Sequence, residues 1–260
     1  MKLKFLVFLL LLLIPLTFLK RSPAKTLVTV ARVIDGDTLE LANGKRIRLL
    51  GIDAPERGQF FYEEARERLK ELVEGKRVFL ERDVSNSDSL GRLLRYVFLN
   101  DTFINLKLVE EGFAIAYIVP PDKKYASKIL EAEEFARKHE LGIWKRSSLQ
   151  YADCIRIKDF HFNALGRDSK NLNDEYVVFE NRCNISINLS GWMIKDRSFK
   201  TYVFPEFVLD AKSSFILHSG FGKDTKKDLF WNSTFPIWNN DGDTLFLRDR
   251  EGFLILYYSY

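Results

Sequence analysis

The chain has 260 residues, 46% of them hydrophobic and 29% charged, with seven scattered prolines. That length allows one large or two modest cores, and the composition excludes disorder and low-complexity architecture. The formal net charge is +4, but the first 24 residues hold Lys2, Lys4, Lys20 and Arg21 and no acid, so the remainder is neutral; this excludes a chain-wide basic field and leaves nucleic-acid affinity to a local patch or a metal site.

Segment 1–24 reads as a signal peptide or a membrane anchor. Lys2 and Lys4 precede an apolar run over 5–19 that is broken by Pro15 and Thr17. The run is short for a membrane span and suits a signal-peptide core. Ser22 and Ala24 place small residues for cleavage after Ala24, whereas Lys20 and Arg21 would end an uncleaved anchor. A buried soluble helix is the third option. The first two readings engage the membrane and put the rest of the chain outside the cytoplasm, secreted or in the cell envelope.

Segment 25–148 follows. Alternation predicts strands over 26–34, 37–42 and 45–50, the last two joined by Asn43-Gly44 as a two-residue hairpin turn. A helix is expected over 59–73, with Phe61, Ala65, Leu69, Leu72 and Val73 inward. Strands over 76–83 and 92–99 come next. A short helix over 104–111 stops at Gly112, and 113–118 is brief and extended. A long helix over 124–138 turns Tyr125, Ile129, Ala132 and Ala136 inward and ends near Gly142. Five short strands with interleaved helices suit an OB-like barrel, an α+β unit.

Residues 147–150 form the expected linker. From 149 to 260 the texture changes to short aromatic and β-branched runs separated by Asn, Asp, Gly and Ser, which predicts an all-β sandwich. Cys154 and Cys183 flank two strand-like runs. Pairing Phe162 with Glu175 across the hairpin sets Cys154 opposite Cys183, a candidate disulfide for an oxidising compartment. Two separate thiols are the alternative.

The chemistry concentrates between 35 and 56. Asp35-Gly36-Asp37-Thr38 alone reads as a plain turn, and the same tetrapeptide recurs at Asp241-Gly242-Asp243-Thr244. The surroundings distinguish the first copy. With Asn43-Gly44 as a two-residue turn, Asp37 lies opposite Leu50 and Leu39 opposite Arg48, so Asp37 and Arg48 share a face as diagonal neighbours. Asp53 and Glu56 lie just past the strand end. Carboxylates suit a hard cation, guanidinium groups grip phosphate oxygens, and a carboxylate can activate water. Together these are the parts of metal-assisted phosphodiester hydrolysis without histidine. His139, His161 and His218 fall in no recognisable catalytic arrangement.

The stretches Ile34-Asp35-Gly36-Asp37-Thr38-Leu39, Ile47-Arg48-Leu49-Leu50-Gly51-Ile52-Asp53-Ala54-Pro55-Glu56 and Asp88-Ser89-Leu90-Gly91-Arg92, then Ala116-Tyr117 and Leu141-Gly142-Ile143-Trp144, resemble the staphylococcal (thermo)nuclease family. The resemblance implies a calcium-dependent nuclease acting on DNA or RNA. It implies Asp37, Asp53 and the backbone carbonyl of Ala54 as calcium ligands, with Asp35 a nearby, weaker acid. It implies Glu56 as general base, Arg48 and Arg92 as phosphate-binding arginines, and Tyr117 as a nucleotide contact. Departures fall among substrate contacts: Ser89 and Leu90 replace a lysine and a tyrosine, and Val119 replaces a second tyrosine.

The second half resembles the lamin-tail domain through Asn173-Asp174-Glu175-Tyr176-Val177-Val178-Phe179, Leu189-Ser190-Gly191-Trp192, Tyr202-Val203-Phe204-Pro205 and Pro236-Ile237-Trp238-Asn239. That family implies an immunoglobulin-like sandwich with an attachment or binding role and an unspecified partner. The expectation is an extracytoplasmic, monomeric calcium-dependent nuclease. The rival is a non-catalytic nucleic-acid-binding or cell-surface module.

Overall fold

The computed structural model describes residues 25–197 and 200–260, so the expected signal or anchor over 1–24 lies outside the described residues. The chain opens with β1 (Thr26–Val33), β2 (Thr38–Leu41), β3 (Arg46–Leu49) and β4 (Ile52–Asp53), then α1 (Tyr62–Val73), β5 (Arg77–Glu81) and β6 (Leu93–Leu99). After these come β7 (Thr102–Phe103), α2 (Ile104–Glu110), β8 (Ile115–Ala116) and α3 (Ala126–Lys138). Neighbours β3, β2, β1, β5 and β6 pair antiparallel in that order, and a parallel β3–β6 pairing closes five strands into the OB-like barrel. Period-2 alternation is visible in β5, where Val78 and Leu80 point inward and Arg77 and Phe79 outward. In α1 the spacing of Tyr62, Ala65, Leu69 and Val73 turns one stripe onto the barrel.

Three local expectations are corrected. Helix α1 begins at Tyr62, not 59, because Phe61 adopts a left-handed φ of 71°; Tyr62 therefore heads the buried stripe. The β2–β3 hairpin pairs Thr38 with Arg48 and Leu39 with Ile47, one residue away from the expected register. Leu41 pairs with Lys45 instead, leaving three loop residues with Gly44 at φ 79°, the three-residue turn with glycine in the left-handed position. Finally, α3 stops at Lys138 and the chain turns left-handed at Glu140, before Gly142. Gly142 has another task. A Cβ there would lie 2.1 Å from the Gly112 carbonyl oxygen, and one on Gly112 would lie 2.2 Å from that of Leu141. Two glycines thus let the ends of α2 and α3 touch backbone to backbone, and the Ile143 N–H donates to the Gly112 carbonyl at 2.9 Å.

The second half is an immunoglobulin-like β-sandwich. Its strands are β9 (Ile155–His161), β10 (Tyr176–Asn181), β11 (Ile187–Asn188), β12 (Met193–Lys195), β13 (Thr201–Val203), β14 (Val208–Leu209), β15 (Ser214–His218), β16 (Asp228–Phe230), β17 (Thr244–Arg248) and β18 (Leu254–Ser259). One sheet runs β16-β15-β10-β9, the other β13-β12-β17-β18, with a β11–β14 ribbon beside them. Phe179, Phe215, Trp192 and Ile194 pack between the sheets. Cys154 and Cys183 are joined by a disulfide with Cα atoms 5.3 Å apart. The β9–β10 ladder keeps the expected register from Tyr176 to Val178, then shifts by one residue. The cysteines still meet because Cys183 lies beyond the ladder, where the chain turns back.

The two halves share an interface. Trp144 packs against Phe246 and Tyr257, and Phe60 against Phe253. Gly252 accommodates the Phe60 ring, since a Cβ there would lie 2.2 Å from it. The half-buried Arg248 guanidinium donates to the Ile143 carbonyl at 2.8 Å and to the Gly252 carbonyl at 3.0 Å. Among the described residues no helix is long and apolar enough to cross a membrane.

Candidate active site

Three loops converge at one end of the barrel. The Asp35–Asp37 turn enters β2, β3 and β4 carry Arg48 and Asp53, and the segment after β4 carries Ala54 and Glu56. Gly36 allows the close approach, because a Cβ there would sit 2.6 Å from that of Ala54 and 2.9 Å from that of Ala65. Asp35 accepts the Asp37 N–H at 3.0 Å, shaping the turn. The Ala54 N–H donates to Asp37 Oδ2 at 2.9 Å, which locks the turn to the segment after β4.

Arg48 is the hub. Its Nε lies 3.0 Å from Asp37 Oδ1, its Nη2 donates to Asp53 Oδ1 at 2.8 Å, and its Nη1 donates to the carbonyls of Leu49 and Ile52, each at 2.7 Å. The Asp37–Arg48 contact survives the register change because Asp37 precedes β2 and its side chain is not held by the pleat. Burial pushes the Asp37 carboxyl up to about 7; Arg48 opposes this, while Asp35 and Asp53 reinforce it. Burial likewise raises Asp53, against Arg48 and Lys195. Glu56 is exposed and is raised by partial burial, then by Asp35 and Asp53.

Arg92 comes from the loop before β6. Asp88 accepts the backbone N–H groups of Leu90 and Arg92 and receives Arg92 Nε at 2.7 Å, so one aspartate shapes the loop and aims the guanidinium. Arg92 Nη1 reaches Thr38 Oγ1 at 3.3 Å. A cleft of about 340 Å³ opens between Arg48, Arg92, Gly51 and Tyr117. Tyr117 is half exposed at its edge, its backbone N–H tied to the Gly51 carbonyl at 2.8 Å. Val119 lines the same cleft, and Leu90 is exposed on its own loop.

Asp37 and Asp53 are two acceptors of the kind a hard cation requires. Among the described residues no group of three or more His, Cys, Asp or Glu side chains is arranged to hold a metal. The residues present nevertheless fit calcium in one respect: Asp37 and Asp53 share one guanidinium and Asp35 acts on both, leaving negative charge that a cation would balance. Two carboxylates and one backbone carbonyl would leave most of calcium's six to eight positions to water and substrate.

The second Asp-Gly-Asp-Thr behaves as a turn. Asp243 accepts the N–H groups of Arg197, Asn239 and Thr244, and Asp241 is exposed. The histidines stay away from the cluster, His139 at the end of α3 and His161 and His218 on the sandwich sheet of β9 and β15.

Two residues at the site carry no local sequence signal. Gln59 Oε1 accepts the Glu56 N–H at 3.0 Å and also Lys195 Nζ at 3.0 Å. Two donors at one atom require the amide oxygen there, not its nitrogen. Lys195 belongs to β12 of the sandwich, and burial lowers its ammonium while Asp53, Asp196 and Glu56 oppose that shift. Only the packing of one half on the other could reveal it.

A family model described as Staphylococcal nuclease homologue matches residues 46–146, and one described as Lamin Tail Domain matches residues 152–260. A thermonuclease of Staphylococcus intermedius is 40% identical over 126 residues, which is 45% of this chain and 75% of that protein. Endonuclease YncB of Bacillus subtilis is 37% identical over 131 residues, 46% of this chain and 62% of that protein. A micrococcal nuclease of Shigella flexneri is 36% identical over 134 residues, 46% and 75% of the respective chains.

Proposed function

Because the chain belongs to the Staphylococcal nuclease homologue family and carries a lamin tail domain behind its nuclease domain, we propose that it is an extracytoplasmic, calcium-dependent nuclease hydrolysing phosphodiester bonds in DNA or RNA. The observation that carries this reading is the Arg48 guanidinium held between Asp37 and Asp53 at the mouth of a cleft that Arg92 also enters. A disulfide is stable in an oxidising compartment, and the Cys154–Cys183 bond supports placement outside the cytoplasm. The nuclease acts as a monomer, with the N-terminal segment engaging the membrane before cleavage or as an anchor.

Asp37, Asp53 and the Ala54 carbonyl would hold calcium, which when bound would supply positive charge against the phosphate oxygens. Arg48 and Arg92 grip the non-bridging oxygens and oppose the charge that grows on them. Among the described residues, the hydrogen bonds of Arg92 use Nε and Nη1, so Nη2 remains for phosphate. Glu56, on the exposed loop, accepts a proton from the water whose oxygen bonds to phosphorus. As the family resemblance implies, the bond from phosphorus to the 5′ oxygen breaks, that oxygen takes up a proton from solvent water, and the products are a 3′-phosphate and a 5′-hydroxyl.

The test digests single-stranded DNA with the chain from Lys25 onward, with calcium and with chelator, beside Glu56→Gln. Calcium-dependent cleavage that falls by about a hundredfold or more in the variant is expected. A folded wild-type protein that cleaves nothing with calcium would sink the enzyme reading in favour of a binding module.

A further inference from the structure

A phosphodiester links two nucleosides, so a scissile phosphate held at Asp37, Asp53 and Arg48 sends one nucleoside to each side. The cleft at Arg92 and Tyr117 receives one of them. Beside Asp53 lies a separate cavity of about 240 Å³, lined by Asp53, Ala54 and Pro55 and by residues of both domains. We infer that this interdomain cavity is a second nucleotide subsite, in which the lamin tail domain binds the nucleoside flanking the scissile phosphate and Lys195 faces its phosphate backbone. The inference rests on the nuclease reading and extends it to the second domain.

Three observations support it. The walls offer apolar surface on both sides, Phe60 and Ile115 from the nuclease domain and Met193 and Val203 from the sandwich. Bases stack on such surface without requiring a particular sequence. The charge at its rim is complementary to a polyanion, because Lys195 and Arg57 line the cavity and Asp53 is the one acid among its lining residues. The lysine is also pre-placed. One of its three ammonium donors is fixed on Gln59, which leaves two for phosphate oxygens. The same Gln59 oxygen holds the Glu56 N–H, so the subsite and the loop of the general base share an anchor. Outside the cavity the sandwich also touches the nuclease domain beside Tyr117, where the Arg197 guanidinium donates to the Ala116 carbonyl.

The test measures kcat/KM with calcium on the dinucleotide TpT and on two analogues, each lacking one of the two bases, for wild type, Met193→Trp and Lys195→Met. The wild type is expected to lose about tenfold when one particular base is removed. Met193→Trp, which fills the cavity, should lose a similar factor on TpT and little more on that same analogue. Lys195→Met should raise KM on TpT severalfold, and Lys195→Arg should restore part of the loss. Thermal melting establishes that each variant is folded, and Lys195→Met carries the test if Met193→Trp does not fold. Variants that cleave TpT as wild type does, or a Met193→Trp protein that loses equally on both analogues, would overturn the subsite while leaving the nuclease reading intact. A wild-type chain that cleaves neither TpT nor long DNA overturns the nuclease reading, and the subsite falls with it.

Discussion

Arg48 shows how much one side chain organises here. Its guanidinium satisfies two carboxylates and two backbone carbonyls at once. A planar fork can do this and a point charge cannot. Arg48→Lys keeps the charge but can meet only part of that set. We expect kcat/KM on DNA to fall by about a hundredfold or more, the scale of a lost transition-state donor, and the melting temperature to drop as well. Kinetics and a thermal melt on the same sample separate the two effects. Wild-type kcat/KM in a folded Arg48→Lys protein would reduce Arg48 to a structural role. Asp88 acts on a smaller scale, turning a loop so that Arg92 points into the cleft. The motif containing it was legible in the sequence, but its positioning task was not, because that task lies in which N–H groups it accepts.

At the scale of elements, chain geometry near glycine decides the most. Gly112 and Gly142 close the α2–α3 contact with no room for a side chain on either. Gly142→Ala should destabilise the nuclease domain by on the order of 3 kcal/mol, from the left-handed φ together with a backbone clash. Urea titration measures this directly, and an unchanged midpoint would refute the close-approach argument. The barrel strands were readable from alternation, and α1 and α3 from their apolar stripes. Exact starts and registers were not. Asn43-Gly44 fits a two-residue turn as well as a three-residue one, and the choice moves each hairpin pairing by one position. The β9–β10 ladder shifts at a bulge that no residue type announces.

At the scale of the whole molecule, the sandwich is part of the catalytic half's surface. It covers Trp144, Ile143 and Phe60, which a shortened chain would expose to water. A chain ending at Ser148, the proposed domain limit, should melt about 5–10 °C lower than the nuclease domain does in the intact protein, as expected for the loss of roughly 2 kcal/mol in a domain of this size. Scanning calorimetry of both chains checks it. Equal melting temperatures would mean that the two domains are linked but energetically independent.

The sequence by itself determined what depends on neighbours along the chain. That includes the two fold types and their order, the motifs from Asp35 to Glu56 and from Asp88 to Arg92, and the two cysteines across one hairpin. These are legible because alternation, helical spacing and short motifs act over a few residues. Only the tertiary structure decided what brings distant segments together. It seated Arg48 between Asp37 and Asp53 despite a shifted register, paired Gly112 with Gly142, and brought Lys195 of the sandwich to Gln59 beside Glu56. The physical reason is that such contacts depend on the relative placement of whole elements and domains, which the packing of many side chains sets jointly and no local pattern records.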